Sequence, residues 1–155
     1  MKSLWTALAT LGPIGYLQAP GTCATVVTLG VVYGLSFLSL SSYAYLALLF
    51  VVIGAGWLII TKALVQLDRC DDPSEIVFDE VLGCLVTFWD IPITGITLMV
   101  GFLLFRVLDI TKVFGIRSFE MILGAWGIIL DDLAAGLLTN IFLRLMLHFY
   151  YDYII

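Results

Sequence analysis

The sequence predicts an all-α protein, a polytopic membrane bundle built from helical hairpins. Its 155 residues are 62% hydrophobic and 12% charged, whereas an average soluble domain carries about 25% charged residues. A soluble chain of this length could not bury so much apolar surface in one core. The stretch from Ser3 to Thr61 contains no Asp, Glu, Lys, Arg or His. Acidic residues then recur in short groups at the ends of apolar segments. We expect a single domain, residues 1–155.

Charge and cysteine content exclude several classes of partner and site. The formal net charge is −5, which argues against a general attraction to nucleic acid or to anionic lipid headgroups. Cys23, Cys70 and Cys84 are odd in number and have no CxxC spacing. They are predicted to be reduced thiols, and neither a disulfide framework nor a zinc site is expected.

The first predicted hairpin occupies the uncharged stretch. Cys23–Leu40 has 18 residues and Ser41–Thr61 has 21. Each is about long enough to cross a hydrocarbon layer of ~30 Å at ~1.5 Å per residue. Ser41-Ser42 is the predicted connection, and the chain returns to its starting side at Lys62.

The second predicted hairpin begins at Asp72–Glu75. Asp72 suits an N-cap, the following proline suits the first helical position, and Glu75 would complete a capping box. This helix is predicted to run to about Trp89, before Asp90–Pro92 breaks it. Its ~15 residues span ~23 Å, which is short for a crossing. Its partner is predicted at Thr94–Lys112.

The last predicted helix follows a connecting stretch at Val113–Leu130. Asp131-Asp132 would open this helix, which runs from Leu133 to about Tyr151 and is interrupted by Arg144 and His148. This last helix could cross the membrane either fully or in part.

This arrangement also predicts an orientation. It places five basic residues on one side of the membrane, and the positive-inside rule makes that side cytoplasmic. We therefore expect a multi-pass protein of the bacterial inner (cytoplasmic) membrane, with its acidic motifs at the cytoplasmic helix ends. The basic residues are Lys62, Arg69, Arg106, Lys112 and Arg117.

Residues 71–80, DDPSEIVFDE, place five carboxylates in ten positions. On a helix, Asp72, Glu75 and Asp79 would share one face and repel one another. A bound divalent cation would offset this repulsion, and oxygen-only ligands favour Mg²⁺, Mn²⁺ or Ca²⁺. Alternatively, Asp72 and Glu75 only cap the helix. Glu80 would point about 100° away from that face, where it could simply reach a lysine.

Two further charged groups follow. Arg106, Asp109 and Lys112 follow one another at three-residue spacing on one predicted helix. They could form intrahelical salt bridges. Alternatively, Asp109 ligates a metal ion and the two cations beside it hold phosphate oxygens. Asp131-Asp132 precede Leu-Ala-Ala-Gly, and these small residues would allow a close helix contact. Such a contact could bring the pair against the first acidic face. A helix cap would explain one of these aspartates but hardly both.

Two weaker signals lie outside the acidic groups. Pro20-Gly21-Thr22 is typical of a turn, although its N–H groups and hydroxyl could also receive an anion. His148 is expected at the membrane interface and not as a general base.

Four motifs together resemble a known family, the bacterial phosphatidylglycerophosphatase A family. The motifs are APGT (19–22), DDPSEIVFDEVLG (71–83), FRVLDITK (105–112) and GIILDDLAAG (127–136). Their order and spacing are similar to those of the family over nearly the whole chain. The resemblance implies an Mg²⁺-dependent hydrolase at the cytoplasmic face of the membrane. Such an enzyme removes the terminal phosphate of phosphatidylglycerophosphate to give phosphatidylglycerol in phospholipid biosynthesis.

The resemblance also implies roles for individual residues. The catalytic residues would be Asp79, Glu80, Asp131 and Asp132, the metal ligands Glu75, Asp79, Asp109, Asp131 and Asp132, and the phosphate-binding residues Arg106 and Lys112. Arg117, which lies outside the four motifs, and Thr22 are additional candidates for phosphate binding.

The chain departs from the family pattern at three places. Val113–Ile116 replaces a proline-rich stretch, Thr25 stands where a serine is common, and the segment before Pro20 is about one residue shorter. None of these departures removes a carboxylate, so activity is expected to be retained.

Alternatives remain at the level of mechanism and function. Direct attack by water and an aspartyl-phosphate intermediate are both compatible with these residues. The substrate could be another lipid phosphate. A non-enzymatic cation carrier would place its acids along the middle of long helices, whereas here they gather at helix ends beside Arg and Lys. A purely structural membrane protein would gain nothing from three acidic motifs. The oligomeric state stays open.

Overall fold

The computed structural model describes residues 4–68, 73–113, 115–116, 119 and 122–154, with the side chains of 151–154 excepted. All regular structure in these ranges is helical, which confirms the predicted all-α class. A 3-10 turn at Ile14–Tyr16 follows the first helix. The helices are α1 (Leu4–Ala9), α2 (Pro20–Ser36), α3 (Ser42–Leu67), α4 (Phe78–Thr87), α5 (Gly95–Thr111) and α6 (Ala125–Ile154).

The short helix α4 lies at the centre of the bundle, and α2, α3, α5 and α6 pack around it. Six of its ten residues are buried. The hydroxyl of Tyr45 near the start of α3 donates to the carbonyl of Leu85 near the end of α4. Gly101 of α5 likewise packs against Phe88, just after α4. Helices α3 and α5 therefore run antiparallel to α4.

Helices α2 and α6 run parallel to α4. Gly21, in the first turn of α2, lies beside Glu80 in the first turn of α4. Gly136 of α6 meets the backbone of Gly83, and one turn further on the side-chain amide of Asn140 donates to the carbonyl of Thr87. The amino-terminal ends of these three helices consequently come together at one end of the bundle.

The first predicted hairpin is present with shifted bounds. Helix α2 begins three residues earlier than predicted, with Pro20 in its first turn, and ends at Ser36. The side chain of Ser41 caps α3 by accepting a hydrogen bond from the N–H of Ala44 at 3.2 Å. Helix α3 extends to Leu67, and in the described part of the chain it alone is long and apolar enough to cross a membrane.

The predicted start of the next helix at Asp72-Pro73 is wrong. Helix α4 begins at Phe78 and has no side-chain cap. Ile76 and Val77 are buried, and the N–H of Val77 donates to the carbonyl of Ala9 at the end of α1. Because this segment pairs with α1, it cannot continue the helix backwards. Glu75 therefore lies in the preceding turn and shares no helix face with Asp79. Asp72 lies outside the described residues.

Helix α5 follows the prediction closely. Thr94 caps it in a reciprocal capping box with Thr97. The helix ends at Thr111 because Lys112 adopts a left-handed conformation with φ 48°. Because the helix ends here, the Lys112 side chain does not continue the three-residue helical spacing of Arg106 and Asp109.

The predicted start of the last helix at Leu133 is also wrong. Helix α6 begins at Ala125, after Gly124 with φ 81°. The apolar residues Ile128 and Ile129 are buried against α3 and thereby keep the earlier turns in place. Asp131 and Asp132 consequently lie inside the helix, where neither serves as an N-terminal cap.

The polar interruption of α6 lies at the far end of α4. Asn140 donates to the carbonyls of Thr87 and Trp89 at 3.0 and 2.8 Å. Arg144 donates to the Asn140 side chain and to the Trp89 carbonyl, and it pairs with Asp90 at 3.3 Å. These bonds satisfy carbonyl groups that the short helix α4 leaves open at its end.

Candidate active site

A cavity of about 370 Å³ lies where the first turns of α2 and α4 meet the end of α5 and the second turn of α6. Most of the residues that the sequence analysis selected line it, although they are distant in the chain. The lining residues are Ala19, Pro20, Gly21, Thr22, Ser74, Ile76, Asp79, Glu80, Arg106, Asp109, Ile110, Lys112, Asp131 and Asp132.

Three carboxylates form the centre of this cavity. Asp79, Glu80 and Asp132 each contribute one oxygen to a group whose members all lie within 4.8 Å of one another. The close contact of Gly83 with Gly136 sets this spacing, because it lets α6 approach the first turn of α4. The prediction that a contact through small residues brings the Asp131-Asp132 pair against the first acidic face holds for Asp132 and Asp79, whereas Asp131 pairs with Lys112. The expectation that Glu80 points away is wrong.

Burial makes this group electrostatically unfavourable on its own. Desolvation, together with the nearby charge of Asp109, raises the pKa of Glu80 to about 7. Oε2 of Glu80 and Oδ1 of Asp132 are buried and have no hydrogen-bond partner among the described residues. Buried oxygens of this kind could bind a divalent cation.

Two cations pair with the remaining carboxylates of the cavity. Nη1 of Arg106 lies 2.6 Å from Oδ2 of Asp109 and 3.9 Å from Oε1 of Glu80. Nζ of Lys112 lies 2.6 Å from Oδ2 of Asp131. The predicted i, i+3 salt bridge on α5 is therefore present for Arg106, while Lys112 reaches across to α6.

The first turn of α2 forms the opposite wall. The predicted turn Pro20-Gly21-Thr22 is the start of this helix, so its unpaired N–H groups and positive dipole end lie at the cavity. A Cβ on Gly21 would lie 2.0 Å from Oε1 of Glu80. Only glycine therefore fits beside Glu80 in its present position.

Comparison with known proteins identifies the family. Residues 7–147 match the family described as Phosphatidylglycerophosphatase A. The chain belongs to the phosphatidylglycerophosphatase A family. This confirms the resemblance and the prediction that the chain is an enzyme of the phosphatidylglycerophosphatase class.

Two individual relatives cover most of the chain. A protein of Bacteroides thetaiotaomicron named "Putative phosphatidylinositol-3-phosphatase" is 32% identical over 133 residues, which cover 79% of this chain and 80% of the relative. Phosphatidylglycerophosphatase A of Escherichia coli is 29% identical over 146 residues, which cover 90% of this chain and 81% of the relative. No solved structure matches the chain.

The structure separates the predicted site residues of this phosphatidylglycerophosphatase A family member into groups. Asp79, Glu80 and Asp132 form the central cluster, whereas Asp109 and Asp131 line the same cavity within ion pairs. Glu75 lies in the turn before α4 and does not line the cavity. Arg117, Arg69 and Cys70 lie outside the described residues, and His148 is exposed on α6.

Several lining residues were not predicted as site residues, among them Gly21, Ser74, Ile76 and Ile110. Gly21 was noted only as part of a turn, and its uncharged neighbours in the sequence give no sign of its close approach to Glu80. Ser74 and Ile110 each lie next to or near a predicted acidic residue, but nothing in their type marks them. Their participation follows from the packing of α2 against α4 and α5.

The cavity has an excess of negative charge. Five carboxylates and two cations line it, which leaves a formal charge of −3 when all are ionised. Such a cavity repels a phosphate monoester, which itself carries about −1.5 to −2 at neutral pH. Divalent cations at the carboxylates would reverse this balance.

Proposed function

We propose that this member of the family hydrolyses phosphatidylglycerophosphate to phosphatidylglycerol and inorganic phosphate in an Mg²⁺-dependent reaction. One observation carries this proposal above the others. A buried cluster of three carboxylates lies in the same cavity as two cations and a helix amino terminus. That combination suits a metal ion and an anionic phosphate side by side.

The carboxylates fit the metal. Asp79, Glu80 and Asp132 would hold Mg²⁺, and Asp109 or Asp131 could join them if its salt bridge opened. Mg²⁺ takes oxygen ligands, usually one or two carboxylates together with water and substrate phosphate oxygens, and this cluster can supply the carboxylates. When bound, the ion would supply Lewis acidity and offset charge on the phosphoryl oxygens.

Arg106, Lys112 and the first turn of α2 are suited to bind the phosphate group of the substrate. Arg106 and Lys112 would contact phosphate oxygens, since the guanidinium group on α5 and the ammonium group just after the helix both belong to residues that line the cavity. Nε of Arg106 is buried without a hydrogen-bond acceptor among the described residues, so one donor is unused. Thr22 and the N–H groups of the first turn of α2 would add neutral donors.

The carboxylates would also control proton transfer. In hydrolysis, water attacks phosphorus, the bond from phosphorus to the glycerol oxygen breaks, and that oxygen takes up a proton. Asp131 or another ionised carboxylate of the cavity would accept the proton of the attacking water. The competing route forms an aspartyl phosphate first and hydrolyses it second.

The membrane setting is part of the proposal. Large apolar side chains are exposed along the outer faces of α2, α3, α5 and α6. So much exposed apolar surface is unusual for a soluble monomer. We propose that these helices lie in the bacterial inner membrane, with the cavity at the cytoplasmic side where Lys62, Arg106 and Lys112 lie.

A second substrate has one observation in its favour. The Bacteroides thetaiotaomicron relative carries the name "Putative phosphatidylinositol-3-phosphatase". Another lipid phosphate monoester could use the same cluster and the same cations. The substrate panel described next decides between the two.

The test is phosphate release by the purified full-length chain in detergent micelles, with Mg²⁺ or with EDTA. Asp79→Asn and Asp132→Asn remove charge from the cluster, while Asp90→Asn serves as the matched control. Asp90 lies at the far end of α4 and has φ 57°, a conformation that asparagine tolerates. Phosphatidylinositol-3-phosphate and phosphatidic acid complete the panel.

We expect release from phosphatidylglycerophosphate with Mg²⁺, little release with EDTA, and a loss of at least about a hundredfold in both cluster variants. Asp90→Asn should retain the activity. Faster release from phosphatidylinositol-3-phosphate would select the second substrate. Absence of release from every lipid by a folded protein would contradict the proposed function.

A further inference from the structure

We infer that the apolar outer face of α5 next to the cavity receives the acyl chains of the lipid substrate. This acyl track consists of Leu103, Val107 and Ile110. The inference rests on the proposed function, since it specifies how the diacylglycerol part of that substrate is held. The argument depends on where the cavity meets the outer surface of the bundle.

Ile110 joins the two surfaces. It lines the cavity, and its side chain is 67% exposed. Ile76, the other large aliphatic side chain among the described lining residues, is only 3% exposed. The cavity therefore reaches the exterior along an apolar side chain at Ile110.

The acyl track continues from this point along one face of the helix. Leu103, Val107 and Ile110 are all more than half exposed. Their spacing of four and three residues places them on one stripe of α5. Ile96 and Met99 continue this stripe towards the other end of the helix.

Charge and distance favour a phospholipid as the occupant. Arg106 on α5 and Lys112 just after its end both line the cavity within four residues of Ile110, so a phosphate at these cations leaves its glycerol beside the track. Leu103 lies about 10 Å from Ile110 along the helix axis. One leaflet is about 15 Å thick, so a chain that descends from Ile110 passes Val107 and Leu103.

The same geometry provides a matched control. Ile96 lies about 21 Å from Ile110, beyond the depth of one leaflet. Ile96 and Met99 are as exposed as Val107 and Leu103, and they lie on the same helix. The double variant Ile96→Ser/Met99→Ser thus carries the same change in polarity as Leu103→Ser/Val107→Ser, but away from the track.

The first measurement is the kinetics of phosphatidylglycerophosphate hydrolysis in mixed micelles. We expect Leu103→Ser/Val107→Ser to raise KM roughly tenfold while kcat changes less than about twofold. The control pair should leave KM unchanged. Thermal unfolding of both variants verifies that they are folded. Equal KM values in the two pairs, or a fall in kcat alone, would overturn the inference.

The second measurement reads binding without turnover. A phosphonate analogue of the substrate, which cannot be hydrolysed, carries a diazirine in the middle of one acyl chain. We expect light to attach it to residues 103–110, and unlabelled analogue, but not phosphatidylcholine, to compete. Labelling spread evenly over α3, α5 and α6 without competition would contradict the acyl track.

The two measurements also separate the inference from the proposed function. Competed labelling of α5 in a wild-type protein that releases no phosphate would support the track and contradict the hydrolysis. Phosphate release together with labelling that the unlabelled analogue does not reduce would support the hydrolysis and contradict the acyl track.

Discussion

Gly83 and Gly136 face each other where α4 crosses α6, and neither position has room for a methyl group. A Cβ on Gly136 would lie 2.2 Å from the carbonyl oxygen of Gly83, and a Cβ on Gly83 would lie 2.6 Å from that of Asp132. Both obstacles are backbone atoms, which cannot move aside as a side chain can. This contact holds Asp132 beside Asp79 and Glu80.

Gly136→Ala should therefore separate α6 from α4. We expect a loss of stability of about 1–3 kcal/mol from overpacking and a loss of activity of more than about tenfold, because the three carboxylates no longer converge. Thermal unfolding and phosphate release measure the two effects. Gly54→Ala is the control, since a Cβ on Gly54 meets no atom within 4 Å. Equal behaviour of the two variants would show that the crossing tolerates a methyl group.

Gly21→Ala should affect the metal more than the fold. The added Cβ would displace the Glu80 carboxylate, which is the far end of a flexible side chain, so stability should change little. We expect the Mg²⁺ concentration for half-maximal activity to rise by roughly 10–100-fold. Gly30→Ala in the same helix has open space and should behave as wild type. An unchanged Mg²⁺ dependence in Gly21→Ala would remove Glu80 from the proposed ligand set.

The stability of the metal-free protein should depend on pH. Burial raises the pKa of Glu80 from the ordinary 4.5 to about 7. A carboxyl group with a raised pKa in the folded state binds its proton more tightly when the protein is folded than when it is unfolded. The free energy of unfolding is therefore highest below about pH 4.5 and declines as pH rises through about 7. The thermal midpoint in EDTA should thus be lower at pH 7.5 than at pH 5.

Mg²⁺ should reduce this decline, because it offsets the carboxylate charges that appear as pH rises. Glu80→Gln should reduce the decline even in EDTA, since glutamine does not ionise. A midpoint that rises with pH in EDTA would contradict the assigned direction of the pKa shifts.

Asn140→Ala should destabilise the bundle at the end opposite the cavity. Asn140 is buried, and its side chain holds the carbonyls of Thr87 and Trp89. Leaving these groups unsatisfied should cost about 1–3 kcal/mol. Arg144→Gln should cost less, since Arg144 and Asp90 are 40% and 43% exposed and solvent screens their attraction. Chemical denaturation measures both, and a larger loss for Arg144→Gln would reverse this assignment.

The helical content and most of the site residues followed from the sequence. Uncharged stretches of the right length predicted α2 and α3, and Asp90–Pro92 predicted the break before α5, because proline disfavours a helical conformation in the residue before it. The motifs identified the carboxylates and cations of the cavity. Asp131-Asp132 before Leu-Ala-Ala-Gly also predicted a close helix contact, which Gly136 makes with Gly83.

Only the tertiary structure decided where α4 and α6 begin and which acids meet. The sequence signals at Asp72–Glu75 favour a helix, but the hydrogen bond from Val77 to Ala9 and the burial of Ile76 prevent one there. Burial of Ile128 and Ile129 starts α6 before Asp131. Glu80 joins Asp132 because α2 and α6 close around the first turn of α4. Local patterns record what one segment prefers, whereas helix bounds and the cluster depend on partners distant in the chain.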